Sequence, residues 1–202
     1  MNKIFAALDG MEIDKAIEFL EPIKDKIYGV KINHTLLPNL HEFKRRDYKV
    51  FVDLKLYDIP NTVETVIKWL IKQKADMTTV HYDVGEKCIE HISPLKNDIN
   101  IAIVSHLTSF PGNWEKQSDI YKRICDNLLY YKFNMVLSPQ DLSLFNYYDR
   151  VHSFKRICPG IRLKESNDDQ VRVSTPEEAI SNGADYLVIG RPLKDNPIEC
   201  FL

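Results

Sequence analysis

The sequence predicts an α/β fold, a compact (β/α)8 (TIM) barrel with a short C-terminal helix, occupying residues 1–202 as a single domain. Three observations predict it. Eight apolar runs of strand length recur along the chain, each rich in Val, Ile, Tyr or Phe, as strands buried on both faces of a parallel sheet are. Polar or amphipathic stretches able to form helices separate these runs, the alternation that builds α/β folds. No GxGxxG follows the first run, which weakens the doubly wound nucleotide-binding sheet that spacing alone leaves open.

In chain order the strands are expected at "KIFAALD" (3–9), "YGVKIN" (28–33), "KVFVDL" (49–54) and "MTTVHY" (77–82), then "NIAIVSHL" (100–107), "NMVLS" (134–138), "KRICPG" (155–160) and "DYLVIG" (185–190). After the first, "DKAIEFLEPIKDKI" (14–27) sets Ile17, Leu20, Ile23 and Ile27 three and four apart, the stripe of an amphipathic helix. After the third, "NTVETVIKWLIKQ" (61–73) opens on Asn61 and Thr62 as N-cap candidates, with Glu64 in the first turn. After the seventh, "TPEEAISNGAD" (175–185) reads as Thr175 N-cap, Pro176 at the first helical position and Gly183 just past the end. The chain closes on "KDNPIECFL", so the helix after the eighth strand is expected to be short.

Composition narrows the partners. Lys and Arg number 27 against 29 Asp and Glu, a net charge of −2 with no basic block, so neither nucleic acid nor an acidic membrane is expected. The opening apolar run is too short for a signal peptide, and no later run approaches a membrane span. Cys88, Cys125, Cys158 and Cys200 lie far apart without a CxxC pair, and the six histidines lack metal-site spacing. No metal site or disulfide framework is expected, and a reducing cytoplasm is the expected location.

In a barrel, chemistry sits at the C-terminal ends of the strands. Asp9 ends the first expected strand, Lys31 lies near the end of the second, and Asp53 and Lys55 end the third, with Asp58 just beyond. Residues two apart on a strand point the same way, so Asp53 and Lys55 are expected to share the barrel mouth. Any one of these charges read alone is a helix cap or a solvated ion pair. Together they make a dense mixed-charge cluster that is costly to bury without a function. Ser109 and Pro159 follow the fifth and seventh strands, and "LVIGRP" closes the eighth. There Gly190 allows close backbone approach and Arg191 offers a guanidinium fork, as a phosphate site after strand eight requires.

The string "DLKLYDIPNT" (53–62) resembles the Asp-x-Lys-x-x-Asp, Ile-Pro-x-Thr pattern of the orotidine 5′-phosphate decarboxylase family. Segments in matching order extend the resemblance over almost the whole chain: "ALD" (7–9), "VKIN" (30–33), "VH" (80–81), "TSFPG" (108–112), "CPGIR" (158–162) and "STPEEAISNGADYLVIGRPL" (174–193). The resemblance implies cofactor-independent decarboxylation of orotidine 5′-phosphate to UMP, in pyrimidine biosynthesis. It makes Lys55 the proton donor to C6, Asp53 the carboxylate beside the substrate's own, and Lys31 the flanking lysine. Asp58 and Thr62 resemble residues that reach into a neighbouring subunit's site, which implies a homodimer with shared sites; Ile59 is counted with the substrate contacts. Asp9 resembles the ribose-hydroxyl ligand, Ser109 the pyrimidine contact, Pro159 the pocket wall, and Gly190 with Arg191 the phosphate pair.

The chemistry explains the residue types. Loss of CO2 from C6 leaves a carbanion with no electron sink in the ring, and a fixed ammonium beside C6 both stabilises and protonates it. After Pro159 the sequence shows no Gln where many relatives grip the phosphate with one; Lys164 and Gln170 remain alternatives. Two rival readings stand. One is a Mg2+-dependent hexulose-phosphate synthase or keto-gulonate-phosphate decarboxylase of the same superfamily, against which Ile59-Pro60-Asn61-Thr62 speaks. The other is a non-catalytic phosphate-binding barrel.

Overall fold

A computed structural model describes residues 3–105, 107, 124, 126, 130–142, 154–162 and 173–195. Eight parallel strands pair in sequence order into a closed barrel. They are β1 (Ile4–Ala7), β2 (Gly29–Ile32), β3 (Val50–Leu56), β4 (Met77–His81), β5 (Asn100–Val104), β6 (Asn134–Val136), β7 (Arg156–Cys158) and β8 (Tyr186–Ile189). Phe5 pairs with Val188 and Ala6 with Ile189, which closes the ring and leaves no free edge. The strands fall inside the expected runs except β3, which continues to Leu56.

Alternation sorts the side chains into two shells. Phe5, Ala7, Phe51, Met77, Ala102, Ile157 and Val188 form an inner cluster. Their strand neighbours, among them Ala6, Val50, Val52, Ile101, Ile103 and Leu187, join the larger core that packs against the helices. At the N-terminal end of the barrel Phe5 meets Tyr28, Phe51 and Tyr186 at ring-centroid distances of 5.1, 5.4 and 5.6 Å, and fills the interior there. The same parity then delivers Asp9, Lys31, Asp53 and Gly190 to the opposite, C-terminal end. At Gly29 space is the constraint: a Cβ would sit 2.5 Å from the Lys49 carbonyl oxygen.

The helices of the described residues include α1 (Ile13–Leu20), α2 (Leu40–Lys44), α3 (Pro60–Lys72), α4 (Glu86–Ile92), α5 (Pro176–Ser181) and α6 (Arg191–Asp195). The single helix expected over 14–27 is two pieces, α1 and a 3-10 segment at Glu21–Lys26. Pro22 lacks the N–H that an uninterrupted α-helix needs. The start of α3 also differs from expectation. Ile59 holds the N-cap position and Pro60 the first helical position, and neither Asn61 nor Thr62 caps the helix. The preset φ of proline suits that first position, so the start is decided one residue earlier. Glu64 lies beyond the first turn and pairs instead with Lys68 at 2.8 Å and His91 at 3.3 Å. The buried stripe of α3 is Val63, Ile67 and Leu70. At α5 the expectation holds in full: the Thr175 hydroxyl accepts from the Glu178 N–H at 3.2 Å, the Glu178 carboxylate answers on the Thr175 N–H, and Gly183 follows with a φ of +96°.

Among the described residues no helix is long and apolar enough to cross a membrane. Cys88 and Cys158 are buried and unbridged.

Candidate active site

A cavity of about 350 Å³ opens at the C-terminal end of the barrel. Its floor is apolar, made by the inward side chains of Ala7, Phe51, Val104, Val136 and Val188. On the arc from β1 to β3 the wall is charged. Lys31 donates to Asp9 at 2.7 Å and to Asp53 at 3.2 Å, and Lys55 donates to the same Asp53 oxygen, Oδ2, at 2.8 Å. Asp9, Lys31, Asp53 and Lys55 therefore form one unbroken chain of alternating sign.

The middle of this chain is dry and its ends are wet. The side chains of Lys31 and Asp53 are each 11% exposed, against 41% for Asp9 and 40% for Lys55. Burial alone pushes the Asp53 carboxyl up, but the Lys31 and Lys55 ammoniums outweigh it and hold the carboxyl below the usual carboxylate range. Burial likewise pushes the Lys31 ammonium down, and Asp53 and Asp9 outweigh it, so Lys31 sits above the ordinary lysine value. Alternation of sign is what makes such a cluster tolerable in a partly desolvated site.

The predicted residues fall into three groups. Asp9, Lys31, Asp53, Lys55, Pro159, Gly190 and Arg191 line the cavity. Asp58, Ile59 and Thr62 do not. Asp58 points away from the array, its carboxylate accepting the Ile59 N–H at 2.7 Å, and Ile59 is 66% exposed. Within one chain the array expected from Lys31, Asp53, Lys55 and Asp58 thus has Asp9, not Asp58, as its second carboxylate. The loop after Leu56 turns the Asp58 carboxylate onto its own backbone and outward. Ser109, Lys164 and Gln170 lie outside the described residues.

Sequence reasoning passed over three cavity residues or their supports. Lys194, three residues past Arg191 on α6, lines the cavity and donates to the Asp9 carbonyl at 3.1 Å. Arg162, just after β7, is buried, lines the cavity, and donates to the Ile161 carbonyl at 2.8 Å. With Arg191 these give three cationic side chains on the β7–β8 arc. The helical spacing of three between Arg191 and Lys194 was the available signal. Thr79, in the middle of β4, is fully buried and donates to Asp53 Oδ1 at 2.9 Å. Its hydroxyl stands beside that of Thr78 in the same strand, so the sequence did not single it out. The chain's own packing does not demand glycine at 190, where a Cβ would meet Ala7 at an ordinary 3.5 Å.

Chemically the arrangement offers a fixed ammonium at the cavity wall, a buried carboxylate that orients it, and an anion-attracting arc that meets them where β8 pairs with β1. Among the described residues no group of three or more His, Cys, Asp or Glu side chains is placed to hold a metal ion. A model of the "Orotidine 5′-phosphate decarboxylase / HUMPS family" matches residues 2–197. The chain is 33% identical to an orotidine 5′-phosphate decarboxylase of Malacoplasma penetrans, covering 100% of this chain and 96% of the relative. It is 34% identical to one of Staphylococcus aureus (strain Newman), covering 96% and 93%. Among solved structures, an orotidine 5′-phosphate decarboxylase from Thermotoga maritima superposes with a TM-score of 0.77 at 25% identity, covering 98% of this chain and 95% of that one.

Proposed function

Because the chain belongs to the orotidine 5′-phosphate decarboxylase / HUMPS family, we propose that it converts orotidine 5′-phosphate to UMP and CO2, a carboxy-lyase of pyrimidine biosynthesis. The observation that carries this reading is the unbroken Asp9–Lys31–Asp53–Lys55 chain at the cavity wall.

In this reading Lys55 faces C6 of the pyrimidine. The C6–carboxylate bond breaks heterolytically, CO2 leaves, and the electron pair stays on C6. The Lys55 ammonium stabilises that charge as it forms and transfers a proton to C6; the amine then regains a proton from solvent. Asp53 holds Lys55 in place and sits beside the departing carboxylate, while Lys31 keeps Asp53 ionised. Asp9 meets the ribose hydroxyls, and Pro159 is part of the wall. Gly190 and Arg191, with Arg162 and Lys194 beside them, receive the phosphate, whose binding energy positions the reacting ring. The reaction needs no cofactor.

Asp58, Ile59 and Thr62 serve the site of a second copy in a homodimer. Support for this is their outward placement and the exposure of Tyr57 and Ile59, 68% and 66%, on either side of Asp58. A cytoplasmic location goes with this reading.

The test is turnover of orotidine 5′-phosphate by purified protein in EDTA, followed by loss of the orotate absorbance. Turnover that collapses in Lys55→Ala is the expected result, and an inactive wild-type protein overturns the reading. The Mg2+-dependent alternative predicts activity only after metal addition. It is disfavoured by the donor set, because Asp53 Oδ2 already accepts from two ammoniums and Oδ1 from Thr79. Binding without turnover would support the non-catalytic alternative.

A further inference from the structure

The ladder between β3 and β4 breaks where the reacting groups sit. Phe51 pairs with Met77 and Val52 with Thr78, and pairing resumes only at Leu56 with Val80. Four steps along β3 are thus matched by two along β4, and the surplus bulges out at Asp53–Lys55. Lys55 lies inside the bulge with a φ of +48°, in the left-handed region that residues with a Cβ rarely adopt. Such a conformation persists only where its surroundings hold it.

The group that holds it is the Thr79 hydroxyl. It accepts the Lys55 backbone N–H at 2.8 Å, in place of a ladder carbonyl, and donates its one proton to Asp53 Oδ1 at 2.9 Å. One buried oxygen is thereby bonded both to the backbone of the lysine and to the carboxylate that orients the lysine's ammonium. Thr79 is fully buried, and it is not among the residues that line the cavity. The adjacent Thr78 differs: its hydroxyl donates to the Val52 carbonyl, at 3.0 Å.

We propose that Thr79 is a positioning residue for the decarboxylation, its hydroxyl clamping the β3 bulge so that Asp53 and Lys55 are aimed together into the cavity. This rests on the decarboxylase reading above. Valine in its place keeps the branched shape but leaves the Lys55 N–H and Asp53 Oδ1 without that partner, whereas serine keeps the hydroxyl. Small misplacements of a reacting group cost rate far more than they cost binding.

The experiment compares wild type, Thr79→Val, Thr79→Ser and Thr78→Val by steady-state kinetics with orotidine 5′-phosphate, alongside a crystal structure of Thr79→Val. Expected is a fall in kcat of about 10- to 100-fold in Thr79→Val with KM within about threefold, while Thr79→Ser and Thr78→Val stay within about threefold of wild type. The crystal structure is expected to show Lys55 released from the left-handed region or its ammonium off Asp53. A Thr79→Val enzyme with unchanged kcat, a Thr79→Ser enzyme as slow as Thr79→Val, or an unmoved Lys55 in the variant structure would each overturn the proposal. Should the valine variant fail to fold, Thr79→Ala against Thr79→Ser carries the same comparison. An inactive wild type would overturn the decarboxylase reading alone, since the position of Lys55 in the variant still tests the clamp.

Discussion

The Lys194 ammonium donates to the backbone carbonyl of Asp9 at 3.1 Å, joining the first turn after β8 to the end of β1. This contact ties the cationic β7–β8 arc to the alternating charges of β1–β3 across the seam where the barrel closes. It also holds Lys194 over the cavity beside Arg191. Lys194→Met is therefore expected to raise KM for orotidine 5′-phosphate by about tenfold or more, the scale of one lost charge-assisted hydrogen bond, with a small change in kcat. Arg191→Ala moves the same way. Steady-state kinetics with the phosphorylated substrate and with its nucleoside separates the cases; equal losses on both would remove these residues from the phosphate's neighbourhood.

The left-handed backbone at Lys55 sets glycine and alanine apart. Both Lys55→Gly and Lys55→Ala abolish the proton donor and should lose about 100-fold or more in kcat. In thermal unfolding, however, the glycine variant is expected to be the more stable by roughly 1 kcal/mol, because it carries no Cβ penalty at positive φ. A glycine variant that melts below the alanine variant would argue against strain at this position.

Asp53 makes a prediction about acid. Its carboxyl lies lower in the folded chain than in the unfolded one, where it takes the ordinary value. Its contribution to stability is then complete above that ordinary value, about 3.9, and is lost as pH falls through the lower folded value. Denaturant unfolding as a function of pH should show wild type losing more stability than Asp53→Asn as pH drops below about 4. Parallel curves would contradict the shift. Lys31 behaves in the opposite sense, its share being present below the ordinary lysine value and lost as pH rises beyond it.

Asp58 tests the shared site. Lys55→Ala and Asp58→Ala are each expected to be poorly active alone. Mixed through unfolding and refolding, they should recover about a quarter of wild-type activity, since about half of random dimers are hybrids with one intact site of two. Absence of recovery would return Asp58 to a local role, as the acceptor of the Ile59 N–H.

Much of this was legible because the strands advertise themselves. Runs such as "NIAIVSHL" are apolar on both faces only if both faces are buried, and parity then carries Lys31 and Asp53 inward with no further information. Lys55 reached the cavity as the two-residue rule expects, yet through an irregular backbone rather than a regular pleat. That irregularity depends on Thr79, a partner 24 residues away, and pairing at that distance leaves no local trace. The partnership of Lys194 with Asp9 is hidden for the same reason. The helix bounds failed differently: at α3 the proline at position 60 outweighed the capping chemistry of Asn61 and Thr62, and Pro22 ended α1 earlier than its apolar stripe suggested.

The aromatic plug of Phe5, Tyr28, Phe51 and Tyr186 has a kinetic meaning. With the far end of the barrel stopped up by rings, substrate and product pass through the same doorway. UMP bound there bars the next substrate, so its inhibition must be competitive. The gas released at C6 has no rear exit either, and leaves by the side on which the nucleotide came in.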